Sequence, residues 1–238
     1  MFCWTPESIR FRREAAEYVG FDAKIAERIA ERLPQGASVC DAGCGLGYMS
    51  LALARKGFHV TAVDSSAEAL AVLRENAAKE FLPNLTIVQD DVFTMRPQKR
   101  YDAMVFCFFG RTDETLAAVR AQCSGTAFLV KKNWEYHRFV LREKRLERFT
   151  FPITCAELTA LRVPYTSTTF PVEMGQPFRS LADAVRFFSL YNEGDASIQE
   201  GQIAERLVAA DSEEFPWYCP SRLPVGLIQL DAGKLPTP

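Results

Sequence analysis

The sequence is poor in the residues that build metal centres and membrane spans. It holds two histidines, no Cys-x-x-Cys pair and no apolar run approaching a spanning helix, so neither a zinc site nor a transmembrane segment is expected. Its seven cysteines, Cys3, Cys40, Cys44, Cys107, Cys123, Cys155 and Cys219, are odd in number and scattered. They read as free thiols in a reducing cytoplasm. "MFCWTPESIRFRREAAEYVG" has no apolar stretch of signal-peptide length, which adds to the expectation of a cytoplasmic chain. Internal repeats, low-complexity tracts and Gly/Ser linkers are absent, and the net charge of −2 lacks the basic excess of a dedicated nucleic-acid binder.

What is present is the composition of a globular protein, 48% apolar and 24% charged over 238 residues, enough for one buried α/β core carrying a cap. Phenylalanine is over-represented at 18 residues. Core filling explains it first, and a pocket for a flat apolar molecule second.

Thr5-Pro6 reads as a helix N-cap with proline in the first turn, and Gly20 as the stop. A second helix is expected over 22–33. From 37 to 132 strands and helices alternate: strands at 37–42, 59–64, 85–91, 101–109 and 125–132, with Ser65 and Glu68 read as a capping box before the helix that follows the second strand. The fourth strand is almost continuously apolar, as parallel strands buried on both faces are. This alternation predicts a doubly wound parallel sheet. Beyond it come a helix at 153–163, a sixth strand at 166–174 and a last strand at 223–233, separated by a helical insertion at about 177–222. An insertion that long reads as a functional cap. The chain thus divides into an N-terminal helical lid (1–34), a ligand-binding core (35–132) and a C-terminal part with the cap (133–238).

"CDAGCGLGYMS", residues 40–50, follows the first strand, where a doubly wound sheet binds its ligand. A dinucleotide fingerprint needs its third glycine at position 48, which is Tyr48; here it is Gly47. Asp41 would repel a pyrophosphate but can pair with the α-ammonium of an amino acid. S-adenosylmethionine (SAM) carries that ammonium and no phosphate. Asp64, ending the second strand, is placed to accept two ribose hydroxyls. A nicotinamide-dependent oxidoreductase is accordingly the weaker reading.

"VCDAGCGLG" with "VTAVDSS" resembles the class I SAM-dependent methyltransferases, in the small-domain groups whose first motif reads acid-x-Gly-x-Gly-x-Gly. The resemblance covers about 35–132 and returns weakly in the last strand. It implies a Rossmann-like, seven-stranded mixed sheet with an antiparallel last strand. It also implies that Asp41 and the backbone of Gly43, Cys44, Gly45 and Gly47 surround the methionine part of SAM. By the same likeness Asp64 and Ser65 take the ribose, Asp91 and the Val92 amide the adenine, and Phe106 and Cys107 flank the reactive methyl. The usual pattern has Gly-Asp where this chain has Asp90-Asp91, so either carboxylate is open to the adenine.

A hydroxyl or ammonium acceptor needs a group to take its proton. "KKNWEYHRF", after the fifth strand, offers Lys131, Trp134, Tyr136 and His137, and the cap offers Glu173, Gln176, Arg179 and Tyr191. His137, Tyr136 and Glu173 are the candidate catalytic residues, and Phe2, Trp4, Phe11 and Tyr18 a candidate lid. From Lys131 to Arg148, seven cations (with Lys132, Arg138, Arg142, Lys144 and Arg145) face Glu135, Glu143 and Glu147. Such a run reads first as a solvated face with internal pairs, and otherwise as a surface for an anionic metabolite or RNA. "FCFFGR" replaces the Asp/Asn-Pro-Pro-aromatic motif of enzymes that methylate nucleobase amines, which argues against nucleic acid. The expectation is a methyltransferase for a small-molecule acceptor, monomeric or homodimeric, with no metal and no membrane partner. An RNA or protein methyltransferase, or a SAM-binding protein without catalysis, are the alternatives.

Overall fold

A computed structural model describes residues 4–141, 145–146, 148–192 and 199–236. The chain opens with α1 (Pro6–Val19) and α2 (Phe21–Ala30). Thr5 Oγ1 accepts from the Ser8 amide at 3.1 Å while the Thr5 amide donates to Ser8 Oγ at 2.9 Å. At the other end Gly20 closes α1 in the left-handed region (φ 68°), where a side chain would be strained. α2 turns Phe21, Ile25, Ala26 and Ile29 inward.

The core then runs β1 (Ser38–Ala42), α3 (Tyr48–Arg55), β2 (His59–Asp64), α4 (Ala67–Glu80), β3 (Leu85–Gln89), β4 (Tyr101–Cys107), α5 (Thr112–Gln122) and β5 (Cys123–Lys132). It is followed by α6 (Phe151–Ala160), β6 (Tyr165–Glu173), β7 (Gln176–Phe178), α7 (Leu181–Tyr191), α8 (Glu200–Ala204), β8 (Val208–Ala209), β9 (Trp217–Cys219), β10 (Arg222–Asp231) and a 3-10 turn at Ala232–Lys234. The main sheet has seven strands in the order β3-β2-β1-β4-β5-β10-β6. β1 to β5 pair in parallel, and β10 lies antiparallel between β5 and β6. The expected mixed sheet is present, with its antiparallel last strand.

Side chains alternate across this sheet as strand geometry requires. Val39, Val105 and Leu227 join the cluster under α2 and α3, whereas Cys40, Phe106 and Ile228 join the one under α5 and α6. Strand order reverses between β1 and β4, and the crevice at that switch point opens at the carboxyl ends of both strands, where residues 43–47 lie.

Two local expectations are corrected. The N-cap of α4 is Ser66 and not Ser65: Ser66 Oγ accepts from the Ala69 amide at 3.2 Å. Asp64 Oδ1 accepts from the Ser66 amide at 2.9 Å, a turn that uses up Ser65 and moves the cap one residue on. Ser66→Ala should therefore cost about 1 kcal/mol in urea unfolding and Ser65→Ala close to nothing; equal losses would return the cap to Ser65. The insertion, read as helical, also contains a three-stranded antiparallel sheet in the order β7-β9-β8. α8 is only five residues long and buries Ile203 alone, too little anchoring to extend it through Val208.

Candidate functional site

The glycine loop is held from beneath by Asp64, which ends β2. Its Oδ2 accepts from the Gly45 amide at 2.8 Å and its Oδ1 from Ser66, so one carboxylate fixes both the loop and the start of α4. Gly43, Gly45 and Gly47 all have positive φ. Close approach adds to this: a Cβ on Gly43 would stand 2.6 Å from the Phe109 ring and one on Gly45 3.0 Å from Trp4. Trp4 thus lies against the loop. Phe11 is instead buried between α1 and α7, Tyr18 is exposed, and Phe2 lies outside the described residues.

Asp41 is buried in β1, where Ser50 Oγ donates to its Oδ2 at 2.5 Å. Burial pushes its carboxyl up to about 7, the Ser50 bond opposes this, and the charges of Asp22 and Asp64 add to it. Beyond β3, Asp90 Oδ1 accepts from the Asp91 amide at 2.7 Å and Asp91 Oδ1 from Phe93 at 3.0 Å, both acids being exposed. Gln122 Nε2 ties this turn to α5 through the Val92 carbonyl at 2.6 Å. Phe93 and Phe109 stack with centroids 5.3 Å apart and planes within 16°, an aromatic wall spanning the ends of β3 and β4 that the sequence reading missed.

At the end of β4, Phe106 is fully buried in the core and only its backbone is available to the crevice. Cys107 is partly buried between the two halves of the site: burial raises its thiol, with further effects from Asp22, Asp41, Arg12 and Lys131. Phe108, at φ 54°, and Phe109 then diverge. Phe109 covers Gly43, while Phe108 lines a cavity of about 140 Å³ on the other side. Lys131 clamps this turn, donating to the carbonyls of Phe109 at 3.0 Å and Gly110 at 2.8 Å. Buried as it is, its ammonium is depressed to about 8, and its donors face the turn.

The cavity is walled by α1, by the segment after β5 and by the insertion, with Arg12, Arg138, Phe139, Gln176 and Tyr191 among its lining residues. Gln176 and Tyr191 were candidates from sequence. Phe108 and Phe139 were not, and Arg138 was read only as part of a charged run that Arg10, Arg12 and Arg13 could extend. Of the candidate catalytic residues, none lines the cavity. Tyr136 is exposed and bridges to Arg145. His137 immediately precedes the lining pair Arg138 and Phe139. Glu173 Oε1 accepts from Gly175 (3.0 Å), Tyr218 Oη (2.7 Å) and Ser221 (2.7 Å), a junction that joins β6 to β9 and β10. A second, wider depression carries Arg10, Arg13 and Arg179, but they are neutralised by Asp183, Glu75, Glu14 and Glu214.

Residues 39–125 match the family model described as a methyltransferase domain. Over 47 residues the chain is 53% identical to a ubiquinone biosynthesis O-methyltransferase of Xylella fastidiosa, covering 19% of each chain. Over 64 residues it is 38% identical to a 23S rRNA uracil-C5 methyltransferase of Thiobacillus denitrificans, covering 27% of this chain and 15% of that one. The chain therefore spans less than a fifth of either relative. A solved coclaurine N-methyltransferase, bound to N-methylheliamine and S-adenosylhomocysteine, has a similar fold: TM-score 0.53, 16% identity, 88% of this chain and 72% of that one. Sheet order, glycine loop and family match together make the 39–125 region a class I SAM-dependent methyltransferase domain. Among the described residues no helix is long and apolar enough to cross a membrane.

Proposed function

We propose that the chain transfers the methyl group of SAM to a small molecule held in the cavity beside Phe108. The observation carrying this reading is the juxtaposition of the glycine loop and a one-ring-sized cavity on the two sides of the Phe108–Phe109 turn. Asp41 would pair with the α-ammonium, Asp64 with the ribose, and Asp91 or Asp90 with the adenine, below the Phe93–Phe109 wall. In the transfer a lone pair of the acceptor forms the new bond to carbon as the S–CH3 pair returns to sulfur, leaving neutral S-adenosylhomocysteine. A proton carried by the acceptor passes to water. The protein's part is alignment and exclusion of solvent.

Lys131 and Lys132 are drawn into the protein, their ammonium groups lowered chiefly by burial. Arg145 lies 3.8 Å from Glu135, and Arg142, Glu143, Lys144 and Glu147 lie outside the described residues. The basic run therefore gives less support to an RNA or protein acceptor than the cavity gives to a small molecule.

Calorimetric titration with S-adenosylhomocysteine and, separately, NADH tests the cofactor; binding of NADH alone would overturn the reading. The pH dependence tests Asp41. Its pairing with the ammonium needs the carboxylate, so affinity should rise about tenfold per pH unit below 7 and level off above it. Asp41→Asn should bind weakly with no such break. In the unliganded protein the sign is opposite. A carboxyl raised from 3.8 to about 7 on folding favours the fold below the unfolded value and loses that contribution as pH climbs to 7. Asp41→Asn should remove this slope from the thermal unfolding midpoint.

A further inference from the structure

Two guanidinium groups border the cavity, and among the described residues a carboxylate forms an ion pair with only one of them. Arg12 donates to Asp22 Oδ1 at 2.6 Å, while its Nη1 is buried without a hydrogen-bond partner. Arg138 donates to the Met174 carbonyl, and among the described residues no carboxylate forms an ion pair with it. It lines the cavity, where burial lowers it to about 10 and the neighbouring Arg12 lowers it further. The same two arginines act on the Tyr191 hydroxyl, which burial raises, so the three groups converge. The Glu173 carboxylate, whose Oε1 accepts from Gly175, Tyr218 and Ser221, opposes this lowering of Arg138.

The rest of the wall is aromatic. Phe11, Phe21, Phe108, Phe139 and Phe187 line the same space, and Phe139 and Phe187 pack edge to face at 4.7 Å. A volume of 140 Å³ is close to the ~150 Å³ that holds one benzene ring in an engineered protein cavity. A guanidinium with no ion pair among the described residues suits an anion, and its planar fork of donors suits a carboxylate.

We infer that the acceptor is a single-ring aromatic carboxylate, its carboxylate taken by Arg138 and its ring held among Phe11, Phe108 and Phe139. This rests on the methyl-transfer reading for the identity of the cavity as the acceptor site. The anion is the anchor, and the atom that receives the methyl belongs to the remainder of the molecule.

The test compares benzoate with its neutral isostere benzamide, by calorimetry or ligand-observed NMR, on the full chain with and without saturating S-adenosylhomocysteine. Benzoate should bind at least about tenfold more tightly than benzamide. Arg138→Met should abolish that preference while S-adenosylhomocysteine binds with unchanged affinity, and Arg138→Lys should restore part of it. Equal binding of the two probes, or absence of both, overturns the inference without needing any variant. A benzoate preference with no binding of S-adenosylhomocysteine would retain the anion site and remove the methyl-transfer reading. Binding of S-adenosylhomocysteine with no preference would do the reverse.

Discussion

Asp64→Asn should abolish S-adenosylhomocysteine binding while leaving the far-ultraviolet spectrum of the fold unchanged. Both carboxylate oxygens of Asp64 already accept from backbone amides, Gly45 at 2.8 Å and Ser66 at 2.9 Å, and each has a further lone pair for a ribose hydroxyl. An amide in its place keeps one acceptor and turns an N–H towards the other donor. Hydrogen bonds to a charged group are worth about 1.5–3 kcal/mol each, so losing the two ribose bonds weakens binding by about 100-fold or more. The relaxation of the glycine loop adds to that loss. The thermal shift produced by saturating S-adenosylhomocysteine should vanish with the affinity. Retention of affinity within about threefold would show that the ribose is not held at the end of β2.

The second large effect is on stability. Gly226 sits within β10, opposite Lys131 of β5 and Thr169 of β6, and a Cβ there would lie 2.1 Å from Cδ2 of Phe151. Elsewhere a Gly→Ala replacement gains about 0.4–1 kcal/mol by restricting the unfolded chain. Here the sign should reverse, with Gly226→Ala losing about 2–3 kcal/mol because a packed helix must move off a central strand. Phe151→Ala opens a cavity of its own, yet the double variant should lose less than the sum of the two single ones. A coupling of about 1 kcal/mol or more identifies the ring as the obstacle. Additive losses would mean that the sheet gives way instead.

Most of the 35–132 core was legible because each of its signals is local. Apolar runs bounded by turn residues mark strands, and the acids Asp41, Asp64 and Asp91 fall at strand ends that alternation alone locates. The three-stranded sheet of the insertion was not legible: β7 is three residues long and includes Pro177, and β8 is two, too short for a period to register. The cavity was hidden for another reason. Arg12, Arg138 and Gln176 come from three distant stretches and meet only once α1 packs against the insertion through Phe11, Phe178 and Phe187. Residues 133–141 form no helix or strand, so no periodicity tells which of Tyr136, His137, Arg138 and Phe139 turns inward. Of this segment Arg138 and Phe139 line the cavity, and the candidates Tyr136 and His137 just before them do not.

The turn clamped by Lys131 has a thermodynamic consequence. Phe109 rests on Gly43 and Phe108 lines the cavity, and a single peptide link joins them with Phe108 in the left-handed region. A molecule settling on the glycine loop has to contend with the first ring, and any adjustment of that ring is carried by the backbone to the second. Occupants of the glycine loop and of the cavity should therefore be coupled, and linkage makes any such coupling reciprocal: whatever the first does to the affinity of the second, the second does equally to the first.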